Sequence, residues 1–220
     1  MSHNQQSFSS LACPLCLEAH SKIYFEDKHR EYWQCQHCHL VFVPKQFWLS
    51  SSDEKALYDL HDNNPQDLGY RRFLSRLSTP MFDLLPETRR GLDFGCGPGP
   101  TLSVMFEEQG HTMDVYDLFY YQNRSVFERS YDFICTTEVV EHLQSPQKEI
   151  DRLFNLLRPT GLLGIMTKLV IDKSAFARWH YIQDLSHICF FSQDTFRFLA
   201  TKYHAEVQFI GNDVIILRKN

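Results

Sequence analysis

At 220 residues, with 43% hydrophobic and 22% charged positions, the chain is long enough for one substantial domain and a small appendage. A net charge of −5 excludes a global basic field of the kind that wraps nucleic acid, leaving only a local patch for such a ligand. The first ten residues lack the apolar core of a secretory signal, and no apolar run approaches the roughly 18–20 residues that span a bilayer. Seven cysteines, four of them in Cys-x-x-Cys pairs, suit a reducing compartment and a metal site better than a disulfide scaffold, so a cytoplasmic location is expected.

The first element is carried by those pairs. Cys13-Pro14-Leu15-Cys16 and Cys35-Gln36-His37-Cys38 form two knuckles eighteen residues apart, and four converging thiolates satisfy tetrahedral zinc. Between them Lys22 to Phe25 and Glu31 to Gln34 read as short strands joined by the charged turn Asp27-Lys28-His29-Arg30. The layout predicts a zinc ribbon over residues 1–45, with Cys13, Cys16, Cys35 and Cys38 as ligands to a structural ion. Free thiols or a redox pair are the alternative, and His37 and His39 flank the second knuckle as substitute ligands. The ribbon's own charges roughly cancel, which favours bracing the next domain or touching a protein partner over gripping nucleic acid.

Residues 46–85 read as a helical connector. Ser51-Ser52-Asp53-Glu54 predicts a capped helix through Leu60, Asn63-Asn64-Pro65 a break, and Asp67 to Leu77 a second helix. Thr79-Pro80 and Leu85-Pro86 punctuate the passage onward. Tyr58, His61, Tyr70, Arg71 and Arg72 are placed to form a lid over a ligand of the following domain; solvated helix faces are the alternative.

That domain, residues 86–220, begins at Gly91-Leu92-Asp93-Phe94-Gly95-Cys96-Gly97-Pro98-Gly99-Pro100. An apolar strand runs into glycines at alternate positions and then into a helix from Thr101, the pattern of a backbone brought close to a nucleotide-like ligand. A second strand, His111 to Asp117, ends in an acid placed for ribose hydroxyls. Tyr131 to Thr136 reads as a third strand, Lys148 to Leu157 as a helix, and Leu162 to Met166 as a further strand. A helix capped by Ser192 and a closing hairpin around Gly211-Asn212-Asp213 follow. The β-α alternation predicts parallel strands with right-handed crossovers.

Leu92-Asp93-Phe94-Gly95-Cys96-Gly97-Pro98-Gly99, Tyr116-Asp117, Tyr131-Asp132-Phe133-Ile134 and Leu157-Arg158-Pro159-Thr160-Gly161-Leu162 together resemble the class I S-adenosylmethionine-dependent methyltransferases. The resemblance implies a Rossmann-like, seven-stranded α/β sheet. It also implies that Gly95, Gly97 and Gly99 lie at the methionine portion of the cofactor, with Asp93 of the same motif among the cofactor-binding residues, and that Asp117 holds the ribose. Leu118 would pack the adenine, and backbone at Thr136 and Thr137 would meet the amino-acid end; Tyr70, from its place in the connector, is a further candidate for cofactor contact. Only thirteen residues separate Asp117 from Tyr131, so the third-strand region must be shortened or absent.

Methyl transfer requires alignment of nucleophile and methyl, helped by a general base. Glu138, Glu141 and His142, read as one face of a helix start, are candidates for that role or for a divalent ion, with His187 able to complete such a site. The resemblance also points to His187, in the loop from Arg178, as a base or substrate contact. The expected activity is methylation of a small molecule, a sugar- or quinol-like oxygen or carbon. Alternatives are an RNA substrate, held by Arg71, Arg72, Arg76, Arg89 and Arg90, a non-catalytic cofactor-binding or partner-binding module, and a nicotinamide dehydrogenase.

Overall fold

The computed structural model describes residues 11–60 and 63–220, so the N-terminal segment and the lid candidate His61 lie outside the described residues. Strands β1 (Ser21–Glu26) and β2 (Glu31–Cys35) pair antiparallel, as two short strands joined by a charged turn between the knuckles predict, and β3 (Val41–Phe42) pairs with β2. Helix α1 (Ser51–Tyr58) is capped by the Ser50 hydroxyl, which accepts from the Asp53 N–H.

Helix α2 (Leu68–Leu84) runs past the expected end at Leu77 and contains Pro80. Proline withholds the N–H that would bond the carbonyl four residues earlier. The helix continues because Leu74, Leu77 and Met81 are buried as one stripe against the sheet, where Gly164 leaves room for Leu77 and Met81.

Strands β4 (Arg90–Phe94) and β5 (Thr112–Tyr116), joined by α3 (Thr101–Glu107), are parallel, as are β6 (Tyr131–Thr137) and β7 (Leu157–Met166), joined by α4 (Pro146–Leu156). After a short helix α5 (Lys173–Phe176) and the two-residue β8 (Cys189–Phe190), α6 (Gln193–Lys202) leads to the hairpin of β9 (Ala205–Ile210) and β10 (Val214–Lys219). The main sheet has the order β5-β4-β6-β7-β10-β9, with β10 antiparallel to β7.

The seven-stranded expectation is therefore corrected to six strands among the described residues, and the doubt over a strand between Asp117 and Tyr131 is resolved as absence. Between β5 and β6 lies only a 3-10 turn, Arg124–Glu128. A parallel crossover by itself consumes about a dozen residues, so this stretch has none left for another strand.

The ribbon is not a free appendage. β3 pairs antiparallel with β8, with Val41 opposite Phe190 and Phe42 opposite Cys189. Cys13, Tyr32, Val41 and Phe42 share one buried cluster with Ile134, Leu163, Phe190 and Leu199, so ribbon and main sheet have a common core. A second cluster, including Leu77, Phe106, Phe133 and Ile216, lies between the other sheet face and α2 and α3. No described helix is long and apolar enough to cross a membrane.

Ser192 and Thr195 form a reciprocal capping box at the start of α6. Ser192→Ala is expected to lower stability by about 1 kcal/mol, a drop of roughly 2–4 °C in Tm for a chain of this size. Thermal unfolding followed by circular dichroism measures it, and an unchanged Tm would remove the cap from the account.

Candidate active site

β4 ends in a turn that needs glycine: φ is +81° at Gly95 and +67° at Gly97, in the left-handed region. The turn is tied to the end of β5. Gly95 N–H donates to the Tyr116 carbonyl at 2.7 Å, and Gly97 N–H to Asp117 Oδ2 at 3.0 Å. Asp117 Oδ1 accepts from the N–H groups of Phe119 (2.8 Å) and Tyr120 (3.1 Å). Beneath them Asp93 is buried, with Oδ2 accepting from the Ser103 hydroxyl at 3.2 Å. Its Oδ1 is buried without a hydrogen-bond partner among the described residues. An unpartnered carboxylate oxygen and a second carboxylate beside a glycine turn fit a ligand that carries both hydroxyls and a cationic amine, as S-adenosylmethionine does.

Burial above all, with the neighbouring charge of Asp117, raises the Asp93 pKa from 3.8 to about 7. Because the folded value lies above the unfolded one, the stability contributed by its proton is complete below about pH 4. It is lost as pH rises through about 7. Asp93→Asn is therefore expected to gain on the parent as pH increases from 4 to 7, by a few kcal/mol in order of magnitude. Urea titrations of both proteins across that window test it; parallel pH profiles would refute it.

The connector closes onto this turn through a residue the sequence did not single out for contact. A Cβ at Gly97 would lie 2.5 Å from Asn63 Nδ2, and one at Gly99 2.3 Å from the Asn63 carbonyl oxygen. Thr101 Oγ1 donates to that same oxygen at 2.7 Å. The close approach that the glycines permit is thus made by Asn63 at Gly97 and Gly99, and by Val139 at Gly95.

Of the lid candidates, Tyr58 touches the rings of His142 (5.3 Å) and Phe119 (5.7 Å), and the adjacent Asp59 accepts from the Tyr120 hydroxyl at 2.7 Å. Tyr70 is half-buried, its phenol pushed up by burial and by the acidic groups of Asp93, Cys96 and Glu138. Arg71 instead pairs with Glu108. Leu118 is 62% exposed beyond Asp117. Thr136 is buried with Oγ1 unpartnered among the described residues, and Thr137 pairs with Met166 at the end of β6.

Glu138, Glu141 and His142 do not ride one helical face. Glu138 has φ of +52° in the turn after β6, Val140–His142 is a single 3-10 turn, and α4 begins only at Pro146. Proline favours the first helical position and disfavours helix before it, which places the start there. The consequence is a division of directions. Glu141 is fully buried, accepting from the Tyr181 hydroxyl at Oε1 and from Thr167 Oγ1 at Oε2 (3.1 Å). Burial, then the charge of Glu138, pushes it up to about 8. Glu138 is half-buried and raised by burial, with the Tyr181 hydroxyl 3.4 Å away.

The loop before β8 brings His187 to His142, ring centroids 4.7 Å apart. His142 Nδ1 lies 3.1 Å from the Ser186 carbonyl and His187 Nδ1 2.8 Å from the Tyr181 carbonyl. A carbonyl only accepts, so each imidazole carries its proton on Nδ1 and Nε2 is the basic nitrogen. Burial lowers the His187 pKa, opposed by Asp184, whose carboxylate is 3.6 Å from Nε2. One ligand atom each from Glu141, His142 and His187 lies within 4.8 Å of the others; Glu138 is outside that group.

At the ribbon, one Sγ from each of Cys13, Cys16, Cys35 and Cys38 lies within 4.8 Å of the rest, with Cys13–Cys38 at 3.5 Å and Cys16–Cys35 at 3.4 Å. A tetrahedron of sulfurs about 2.3 Å from zinc has edges of about 3.8 Å, so the four fit the ion. Backbone N–H groups of Leu15 and of His37 and Cys38 point at the Cys13 and Cys35 sulfurs. The Cys38 thiol, hydrogen-bonded to Cys13, draws the Cys13 pKa down to about 6.

A family model described as a methyltransferase domain matches residues 66–208. The chain belongs to this family, and in fold and motifs it is a class I S-adenosylmethionine-dependent methyltransferase. The 1,6-didemethyltoxoflavin-N1-methyltransferase of Burkholderia thailandensis, solved with 1,6-didemethyltoxoflavin and S-adenosylhomocysteine, is similar at TM-score 0.53 and 16% identity, covering 91% of this chain and 99% of that one. An S-adenosylmethionine-dependent methyltransferase from Archaeoglobus fulgidus is similar at TM-score 0.51 and 17% identity over 68% of this chain and 94% of that one. A methyltransferase solved in complex with a Haloferax volcanii methyltransferase activator gives TM-score 0.50 and 10% identity, covering 77% and 97%. No curated protein matches the chain.

Proposed function

We propose that the chain methylates a small-molecule acceptor, a sugar- or quinol-like oxygen or carbon. The observation that carries the reading is the Asp117 carboxylate, 3.0 Å from the Gly97 N–H and adjoining buried Asp93. S-adenosylmethionine, when bound, supplies an electrophilic methyl on a sulfonium. Asp117 keeps lone pairs for ribose hydroxyls, since a carboxylate accepts about four bonds. Asp93, Gly95, Gly97 and Gly99, with the backbone at Thr136 and Thr137, are assigned to the methionine end, Leu118 to the adenine and Tyr70 to the cover.

His187 is the assigned base. Its Nδ1–H is committed to a carbonyl and its burial favours the neutral ring, so Nε2 is ready to accept the acceptor's proton. His142 lines the same space, and Glu138 is assigned to hold the acceptor's hydroxyl. A divalent ion at Glu141, His142 and His187 is the second reading, supported by their clustering and by the two Nδ1–H···O=C bonds that commonly orient metal-binding histidines. The four cysteines are assigned structural zinc.

The chain is read as a ribbon over 1–45, a lid over 46–85 and a catalytic domain over 86–220. Asn63 on the glycine turn and Tyr58 on His142 support the lid. The shared core supports bracing by the ribbon over a protein-partner role. Against RNA, four of the five arginines expected to hold it, Arg71, Arg76, Arg89 and Arg90, are paired with Glu108, Asp213, Glu87 and Asp114. Calorimetry with S-adenosylhomocysteine, then transfer of labelled methyl to a panel of sugars and hydroquinones, tests the reading. Failure to bind S-adenosylhomocysteine refutes it, and transfer to RNA alone replaces the acceptor.

A further inference from the structure

Arg30 lies in the turn between β1 and β2 of the ribbon, yet it is only 2% exposed. Its guanidinium crosses to the loop that carries His187. Nη1 donates to the carbonyls of Leu185 (3.1 Å) and His187 (3.0 Å), and Nη2 to those of Ile182 (2.8 Å) and Asp184 (2.9 Å). Nε donates to the Tyr32 hydroxyl at 2.9 Å, and that hydroxyl donates to Asp27 at 2.8 Å. Asp27 also accepts from the His29 and Arg30 N–H groups, at 2.7 and 2.9 Å, and so fixes the turn from which the side chain departs.

A buried cation must have its donors met, and here most are met by the backbone of one short loop. Two further carbonyls, one within that stretch and one just before it, serve the two histidines. Ser186 O, which orients His142, lies between the two oxygens held by Nη1; Tyr181 O, which orients His187, immediately precedes Ile182. Turning four carbonyls of the six-residue stretch 182–187 toward one point is costly unless a donor array meets them. A planar guanidinium with five donors does so, whereas an ammonium on a flexible stem has three and no fixed plane.

We infer that Arg30 is a positioning residue: the ribbon's guanidinium fixes the loop backbone that sets the tautomer and the aim of His142 and His187. The inference rests on the assignment of those histidines to the chemistry proposed above. It gives the ribbon a part in the active site, as the fixed jaw against which the 182–187 loop is folded.

The test is spectroscopic, on the full zinc-loaded chain. Long-range 1H–15N correlation of the imidazoles in the parent should show Nδ1 protonated and Nε2 unprotonated for both histidines. In Arg30→Lys and Arg30→Ala the two should shift to averaged tautomers, with S-adenosylhomocysteine affinity unchanged and added guanidinium restoring the parent pattern in the alanine variant. With an acceptor available, kcat should fall by up to about 10²-fold, the scale of a 1 Å misplacement, while KM for the donor holds. Unchanged tautomers in a folded variant would overturn the inference. If neither variant folds, the parent decides: its Arg30 Nη protons should exchange slowly with solvent, and fast exchange sinks the proposal. Failure of the parent to bind S-adenosylhomocysteine would remove the functional reading while leaving the tautomer result to be read on its own.

Discussion

Asp117→Ala is expected to lower S-adenosylhomocysteine affinity by at least about 100-fold, equivalent to roughly 2.8 kcal/mol at 1.4 kcal/mol per tenfold. Two losses combine. On the proposed binding mode the ribose hydroxyls lose the carboxylate assigned to accept from them, and a hydrogen bond to a charged group contributes about 1.5–3 kcal/mol. The glycine turn also loses its tether, because one carboxylate holds the N–H groups of Gly97, Phe119 and Tyr120. The same substitution releases Asp93 from a neighbouring negative charge, so its raised pKa should fall slightly, although burial remains the larger cause. Isothermal calorimetry on the folded variant provides the check. Retention of affinity within about threefold, under 1 kcal/mol, would show that Asp117 is only a loop tether.

The second large effect is expected at the ribbon. Cys35→Ser should abolish zinc binding and lower Tm by more than about 10 °C, since each kcal/mol lost lowers Tm by roughly 2–4 °C at this length. The apparent zinc binding energy of four-ligand modules, about 10–16 kcal/mol, is comparable to the whole stability of an ordinary domain. Cys35 is buried at the end of β2, so its ligand loss opens the strand that pairs with β3, and β3 is in turn the partner of β8. The damage should therefore travel into the main domain, and S-adenosylhomocysteine binding should weaken with it. Metal analysis and scanning calorimetry decide the matter: a zinc-free variant that melts with the parent would mean that the ribbon is a dispensable appendage.

Much of this was legible in the chain because it depends on local chemistry. Glycines at 95 and 97 announce a left-handed turn, which is where positive φ is found. Asp117 closes the next strand, and Cys-x-x-Cys pairs converge wherever their knuckles are paired by a hairpin. The shortage of residues between Asp117 and Tyr131 was legible as well, although the seven-stranded expectation still counted one strand too many.

Other features belong to tertiary contact alone. Periodicity over Glu138 to His142 suggests one helical face, but the Ser145-Pro146 start of α4 and the left-handed Glu138 send Glu141 inward to Thr167 and Tyr181. Pro80 reads as punctuation until the sheet gives Leu77 and Met81 a surface that outweighs one lost hydrogen bond. Asn63 reads as a helix breaker, and only the folded chain sets it on Gly97 and Gly99.

By itself, then, the sequence determined the glycine turn after β4 and the thiolate set, since each is written within a few neighbouring residues. The tertiary structure decided that Cys189 and Phe190 belong to the ribbon's sheet and that Arg30 holds the loop of His187. Those contacts join residues some 150 positions apart, and a spacing rule of 2 or 3.6 residues carries no information across that distance.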